Sequence, residues 1–310
     1  MRRRFPVLRA ALSALALLSV APSARAGGVA SPVMQPLSVG ARTFALAGAS
    51  VALTQDADAV FVNPARLAFL RGASVAAGYG RLVEGVPSDR GQLAAGFPLG
   101  ESIAAPFQKE GAHRWSLGVA LDYQRLELSQ GTDYGEATAT LAAALAPANI
   151  VAFGAAVRGL RTSADLDGLG ATGAALDLGF SMALAPYLEL AAAAHNVVGQ
   201  VKYEDSDSET PGFSAGFALA LTRWRWLAAE AGYTTAYDGA SAVAGGLELT
   251  PIPELALRGG VRYWLQPEAR AVPALGLGIR YDGYFLDYGV QLEGDAALGL
   301  VQRVSFGLRR

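Results

Sequence analysis

The sequence predicts an all-β fold, a transmembrane antiparallel β-barrel of about fourteen strands with a small N-terminal hatch segment, and three observations predict it. Large apolar residues alternate with small or polar ones over most of the chain. Short turns and longer polar connections succeed each other strictly from residue 126 onward. After residue 26 no stretch approaches the ~20 continuous apolar residues of a membrane helix, so a membrane crossing falls to strands.

The alternation is clearest where Leu176, Leu178, Phe180, Met182 and Leu184 oppose Ala175, Asp177, Gly179, Ser181 and Ala183. Successive side chains in a strand point to opposite faces, which makes the first set lipid-like and the second small or polar. Trp115, Leu117, Val119, Leu121 and Tyr123 repeat the pattern, as do Phe213, Phe217, Leu219 and Leu221, and then Leu275, Leu277, Ile279 and Tyr281. A soluble sandwich also alternates, and the loops separate the two: barrels of the outer membrane join strands by tight turns at one end and longer loops at the other. Strands are expected near 73–83, 90–98, 114–125, 135–145, 150–161, 173–184, 187–196, 211–221, 224–234, 241–250, 254–264, 273–281, 284–292 and 300–308. One connection, 99–113, is too long for the tight turn that its place requires, which implies an excursion there or a miscounted early strand. Aromatics near strand ends, including Tyr79, Trp115, Tyr123, Trp224, Trp226, Tyr263 and Trp264, suit interfacial girdles.

Residues 1–26 read as a signal peptide. Met1-Arg2-Arg3-Arg4 is a cationic start, Ala10 to Val20 is apolar but too short to span, and Ala24-Arg25-Ala26 is a small-x-small cleavage site. Five of the 25 Lys and Arg fall in that segment, leaving about 20 against 27 Asp and Glu, an acidic balance that argues against nucleic acid as a partner. With no cysteine, disulfides do not hold the exported chain.

Residues 27–72 do not alternate and form a separate element ahead of the barrel at 73–310, small enough to sit inside or beneath it. Gly40 to Ala49 reads as small-residue turns and short helix; further on, Pro64 suits the first position of a helix with Asn63 as its N-cap.

These residues resemble the PorV/PorQ-type branch of the FadL-like outer-membrane barrels. The likeness is carried by Gly40-Ala41-Arg42, Leu46-Ala47-Gly48-Ala49, Val51-Ala52-Leu53, Asp56-Ala57-Asp58-Ala59 and Val62-Asn63-Pro64-Ala65, about 30 residues in all, with weaker likeness at Ala194-His195-Asn196-Val197 and Gln302 to Leu308. Val62 and Arg66 depart from the Trp and Gly that such families usually place around Asn-Pro-Ala, and the chain ends Leu308-Arg309-Arg310, where an aromatic residue is common. The resemblance implies a fourteen-stranded barrel whose N-terminal segment is a hatch, with Gly48, Asp56, Asp58, Asn63, Pro64 and Ala65 as its motif.

Three patterns that could carry chemistry lack its context. Gly212-Phe213-Ser214-Ala215-Gly216 matches a nucleophile elbow, but no histidine follows it and the sequence continues as a strand. Gly168-Leu169-Gly170-Ala171-Thr172-Gly173 follows a polar run rather than a buried strand, unlike a dinucleotide site. Glu204-Asp205-Ser206-Asp207-Ser208-Glu209 lacks the glycine-centred spacing of a strong calcium loop, and two dispersed histidines argue against zinc. The expectation is no enzyme, no metal and no cofactor. The inward positions Asp122, Asp177, Glu248, Arg258, Arg262 and Arg280 are different, because charge inside a barrel needs water or a partner. They either line a polar path, hold the hatch, or pair across the lumen.

Two functions remain open. One is passive transport of a small hydrophobic or amphipathic solute past the hatch; the other is a PorV-like accessory barrel of a secretion system, whose partner is an exported protein held by external loops. Both place the chain in outer-membrane lipid.

Overall fold

A sheet whose outer face is apolar cannot leave an unpaired edge in hydrocarbon, where each unsatisfied backbone group costs several kcal/mol, so it must close. The computed structural model shows that closure. It describes residues 40–81, 88–103, 112–128, 132–164, 170–204, 208, 210–224, 226–236, 239–292 and 299–310. The predicted signal peptide, residues 27–39 and much of the external loops lie outside these.

The strands are β1 (Ser74–Gly80), β2 (Ser88–Ile103), β3 (Ala112–Leu128), β4 (Thr132–Ala148), β5 (Val151–Ala164), β6 (Ala171–Ala185), β7 (Leu188–Tyr203), β8 (Ser214–Trp224), β9 (Leu227–Ala236), β10 (Ser241–Ile252), β11 (Leu255–Gln266), β12 (Arg270–Tyr281), β13 (Tyr284–Leu292) and β14 (Leu300–Arg309). Each pairs antiparallel with its sequence neighbours, and β1 pairs with β14 from Ser74↔Arg309 to Gly80↔Arg303, which closes a fourteen-stranded barrel. A tilted strand needs about 9–11 residues to cross a bilayer, and every strand but the seven-residue β1 has at least nine.

The two faces separate as the alternation requires. Leu93, Leu117, Leu121, Leu141, Leu247, Leu275 and Phe306 are exposed on the outside, Leu141 to 67%. An apolar belt of this extent belongs in hydrocarbon rather than water. Trp224 and Trp226, with ring centroids 6.2 Å apart, sit at the β8–β9 turn, while Tyr79, Tyr123 and Tyr263 are exposed near the opposite strand ends, so aromatics flank the belt at both rims. Phe180 and Met182 belong to the outer face but are buried, because Phe153 (centroids 5.5 Å apart), Val151 and Leu190 cover them.

Two expectations change. The 99–113 connection is largely strand: β2 and β3 continue pairing to Ile103↔Ala112 across a register shift at Leu99/Ser102, and what joins them lies outside the described residues. Strand β7 runs to Tyr203, seven residues beyond the expected end, because Val198 to Tyr203 pairs with β6, its one partner there among the described residues. Its ladder with β8 stops at His195↔Ser214. Between Leu176↔Val198 and Leu178↔Ala194 three β7 residues oppose Asp177 alone, and Asn196 takes φ 55° in the bulge.

Inside the ring lies the segment from Gly40 to Leu70. It forms helix α1 (Ala41–Ala45), helix α2 (Ala59–Val62) and a 3-10 helix over Pro64–Phe69. Asn63 caps the last as its residue type and the following Pro64 require: its side chain accepts from Ala65 N at 3.1 Å. Helix α1 packs on β11 to β14, the 3-10 helix on β2 to β6. The chain touches the wall where strands lack a side chain: a Cβ on Gly154 would lie 2.2 Å from Ala65 N, and one on Gly260 2.5 Å from Leu46 C.

Candidate functional site: the inner segment and the cavity beside it

A backbone segment inside a barrel carries N–H and C=O groups that no sheet ladder satisfies, so side chains of the wall must meet them. Glu230 of β9 does this most completely. Its carboxylate accepts from three consecutive amides, Val51 at 2.7 Å, Ala52 at 3.0 Å and Leu53 at 2.8 Å. Asn63 Nδ2 donates to Val51 O at 3.0 Å and to Phe180 O of β6 at 3.1 Å, and its Oδ1 occupies the space left by Gly179. Ser305 Oγ accepts from Ala41 N at 2.9 Å, and Gln291 Nε2 donates to Phe44 O at 2.7 Å.

Ion pairs reinforce these contacts. Arg42 Nε donates to Glu248 Oε2 at 2.8 Å while its Nη1 reaches Leu53 O at 2.8 Å. Arg66 donates to Thr54 O at 3.0 Å and Ser181 Oγ at 3.1 Å, pairs with Glu189, and lies over the Phe69 ring. Burial lowers the Arg66 pKa to about 10, with the Glu230 charge opposing that shift. Arg66 is therefore a buried tie to β6 and β7. Arg309, next to the chain end, holds Asp56 Oδ2 at 2.8 Å.

The predicted inward charges all lie on the side away from the exposed apolar face, mostly in pairs. Asp122 receives both Arg90 Nε (2.9 Å) and Nη2 (2.8 Å). Asp177 accepts from Arg158 Nη2 at 2.8 Å and from Asn196 N at 2.8 Å, with His195 Nδ1 3.2 Å away. Glu248 collects Arg42, Arg258 (2.6 Å) and Arg280 (3.4 Å), and Arg258 continues to Asp287 at 2.7 Å. Pairing across the wall thus accounts for five of the six, and Glu248 also holds the inner segment. Arg262 lies elsewhere, beside a cavity. Of the predicted hatch motif, Asp56, Asn63, Pro64 and Ala65 sit against the wall, and Asp58 accepts from Gln92 Nε2 at 3.2 Å. Gly48 (φ 82°) ends the turn after α1 and lines the cavity.

That cavity, about 150 Å³, lies between the inner segment and β7 to β11. Val51, Phe61, Val62, Phe213, Ala193 and Trp264 supply apolar walls; Thr43, His195, Ser214, Thr234 and Arg262 supply polar ones. Trp264 is a correction to the girdle reading: it shares the parity of buried Arg258, so it faces inward while Tyr263 faces out. Glu230, Glu189, Arg90 and Arg158 were missed as site residues. Each is a charge on the small-residue face of a strand, the signal that picked out Asp122 and Asp177.

The rejected motifs stay rejected on geometry. Ser214 opens β8 rather than a strand-to-helix turn, and Gly170 to Gly173 runs into β6. Among the described residues no group of His, Asp or Glu could hold a metal; part of the 204–209 acidic run lies outside them.

No protein-family model and no curated protein sequence matches the chain. Solved structures do. The chain is similar to the toluene transporter TbuX of Ralstonia pickettii (TM-score 0.64, 13% identity, 87% of this chain and 98% of that chain). It is similar to the toluene transporter TodX of Pseudomonas putida (TM-score 0.65, 14% identity, 87% and 98%) and to a Pseudomonas aeruginosa FadL homologue (TM-score 0.59, 13% identity, 87% and 98%). At these identities the likeness is one of fold alone: the closed antiparallel barrel of these proteins is also that of this chain.

Proposed function

We propose that the chain is an outer-membrane channel for passive entry of small hydrophobic or amphipathic solutes, gated by residues 40–70 acting as a hatch. The observation that carries this reading is the cavity pressed between that segment and the wall at the point where the β7–β8 ladder ends. A solute entering from the external loops rests there against Phe61, Phe213 and Trp264. Movement of the 40–66 stretch opens the way to the periplasm, and the upper part of β7, beyond its ladder with β8, offers a path sideways into the membrane. No covalent step is needed, since apolar contact of about 25 cal/mol per Å² supplies the binding. The neighbours' own solutes, those of toluene transporters and of a monoaromatic hydrocarbon channel, support the solute class by analogy of fold. Nothing in them favours the accessory-barrel reading or the PorV/PorQ branch over this one.

The test is uptake of radiolabelled toluene at low external concentration by Gram-negative cells that express the chain. Uptake above that of cells without it supports a channel, and equal uptake contradicts one.

A further inference from the structure

Resting on the transport reading, we infer that the cavity takes a single-ring aromatic carrying a hydroxyl group, rather than a plain hydrocarbon. Size sets the first limit. A dry protein cavity of about 150 Å³ holds a molecule the size of benzene, and this cavity is about 150 Å³. Phe61, Phe213 and Trp264 give such a ring faces and edges to pack on.

The polar groups set the second limit. His195 and Ser214 are paired across β7 and β8 on the last rung of their ladder, and both line the cavity. The Ser214 Oγ is buried and has no hydrogen-bond partner among the described residues. His195 beside it is likewise incompletely bonded, its Nδ1 buried and without a hydrogen bond among the described residues. Its Nδ1 lies 3.2 Å from Asp177 Oδ2, and that carboxylate is fixed in turn by Arg158 and by Asn196 N at 2.8 Å. The imidazole is thus a second polar group at the cavity whose hydrogen bonding is incomplete.

A hydrocarbon filling this space leaves the serine hydroxyl dry and unpaired, which is unfavourable. A phenolic hydroxyl donates to one of the two groups and accepts from the other, so the site recovers what burial took from both. Sites built around a ligand hydroxyl discriminate strongly against the analogue that lacks it, for this reason. The rung is also the last of the β7–β8 ladder, next to the bulge at Asn196.

The experiment uses ¹⁹F NMR on the full chain in detergent micelles, with fluorobenzene and 4-fluorophenol as probes and micelle partition subtracted from a protein-free blank. The full chain should bind 4-fluorophenol more tightly than fluorobenzene. Ser214→Ala should lower the ratio of the two affinities about tenfold, the loss of roughly one well-formed hydrogen bond, and Ser214→Thr should keep it. Heat-modifiable gel migration confirms that each variant is folded. Equal or tighter binding of fluorobenzene to the full chain, or a ratio unchanged by Ser214→Ala, overturns the inference while leaving the channel intact. Binding of neither probe overturns the transport reading at this cavity as well.

Discussion

Arg42 and Glu248 stand 206 positions apart in the chain, yet the guanidinium Nε lies 2.8 Å from the carboxylate Oε2 inside the barrel. The pair joins the inner segment to β10. It also closes a chain of charges through Arg258 to Asp287 of β13, so one contact fixes the segment against strands far apart in sequence. Removing one partner of a buried pair costs about 3–5 kcal/mol because the other charge is left uncompensated.

Glu248→Ala should therefore loosen the segment more than Arg42→Met does. The first leaves Arg42, Arg258 and Arg280 without their shared acceptor; the second leaves Glu248 with two cations. Limited proteolysis of the folded barrel, scored by cleavage between residues 40 and 70, measures this. Equal cleavage in both variants would show that the network does not hold the segment.

Glu230 makes a sharper prediction, since its three acceptor contacts are all to backbone. Glu230→Gln keeps the size but replaces one acceptor oxygen with a donor facing amide N–H groups. It should cost about 1–3 kcal/mol of segment docking, read as a lower midpoint for thermal release of the segment.

The outer face is tested by charge. Phe217→Arg puts a cation in lipid at a cost of about 2–4 kcal/mol near the midplane, and insertion should suffer. Thr234→Arg, on the cavity side, should insert far better. Folded yield on gels compares them, and equal losses would mean that the faces are reversed.

Acidity should matter at Asp58. Burial first, and then the charges of Asp56 and Asp287, push its carboxyl well above the usual carboxylate range, against the pull of Arg309 and Arg42. A raised folded-state pKa means that the folded chain keeps a proton which the unfolded chain releases. The contribution is complete below the ordinary carboxylate pKa and is lost as pH rises through the raised value. The melting midpoint should fall as pH rises above the ordinary carboxylate range, and Asp58→Asn should flatten the part of that fall due to this group. A profile unchanged by the substitution contradicts the assignment.

The strands were legible because period-two alternation is written residue by residue, and Leu141, Leu247 and Leu275 face outward as it demands. Pro64 and Asn63 were legible for a local reason, since capping depends on neighbours in sequence. The upper half of β7 was not, because Val198, Gln200 and Lys202 on its exposed face read as a polar loop rather than as a strand paired on one side. Nor were the ties of Arg42 and Glu230, which depend on which wall faces which part of the segment once the barrel has closed. Trp264 was misplaced by proximity to Tyr263, although adjacent strand residues cannot both face lipid.

The central claim is that residues 40–70 close the lumen. Single-channel conductance in planar bilayers tests it most directly, comparing the full chain with one lacking residues 27–66, both shown to be folded by heat-modifiable migration. The account predicts little conductance from the full chain and a large, steady conductance from the truncated one. The same conductance from both would mean that the segment does not close the barrel.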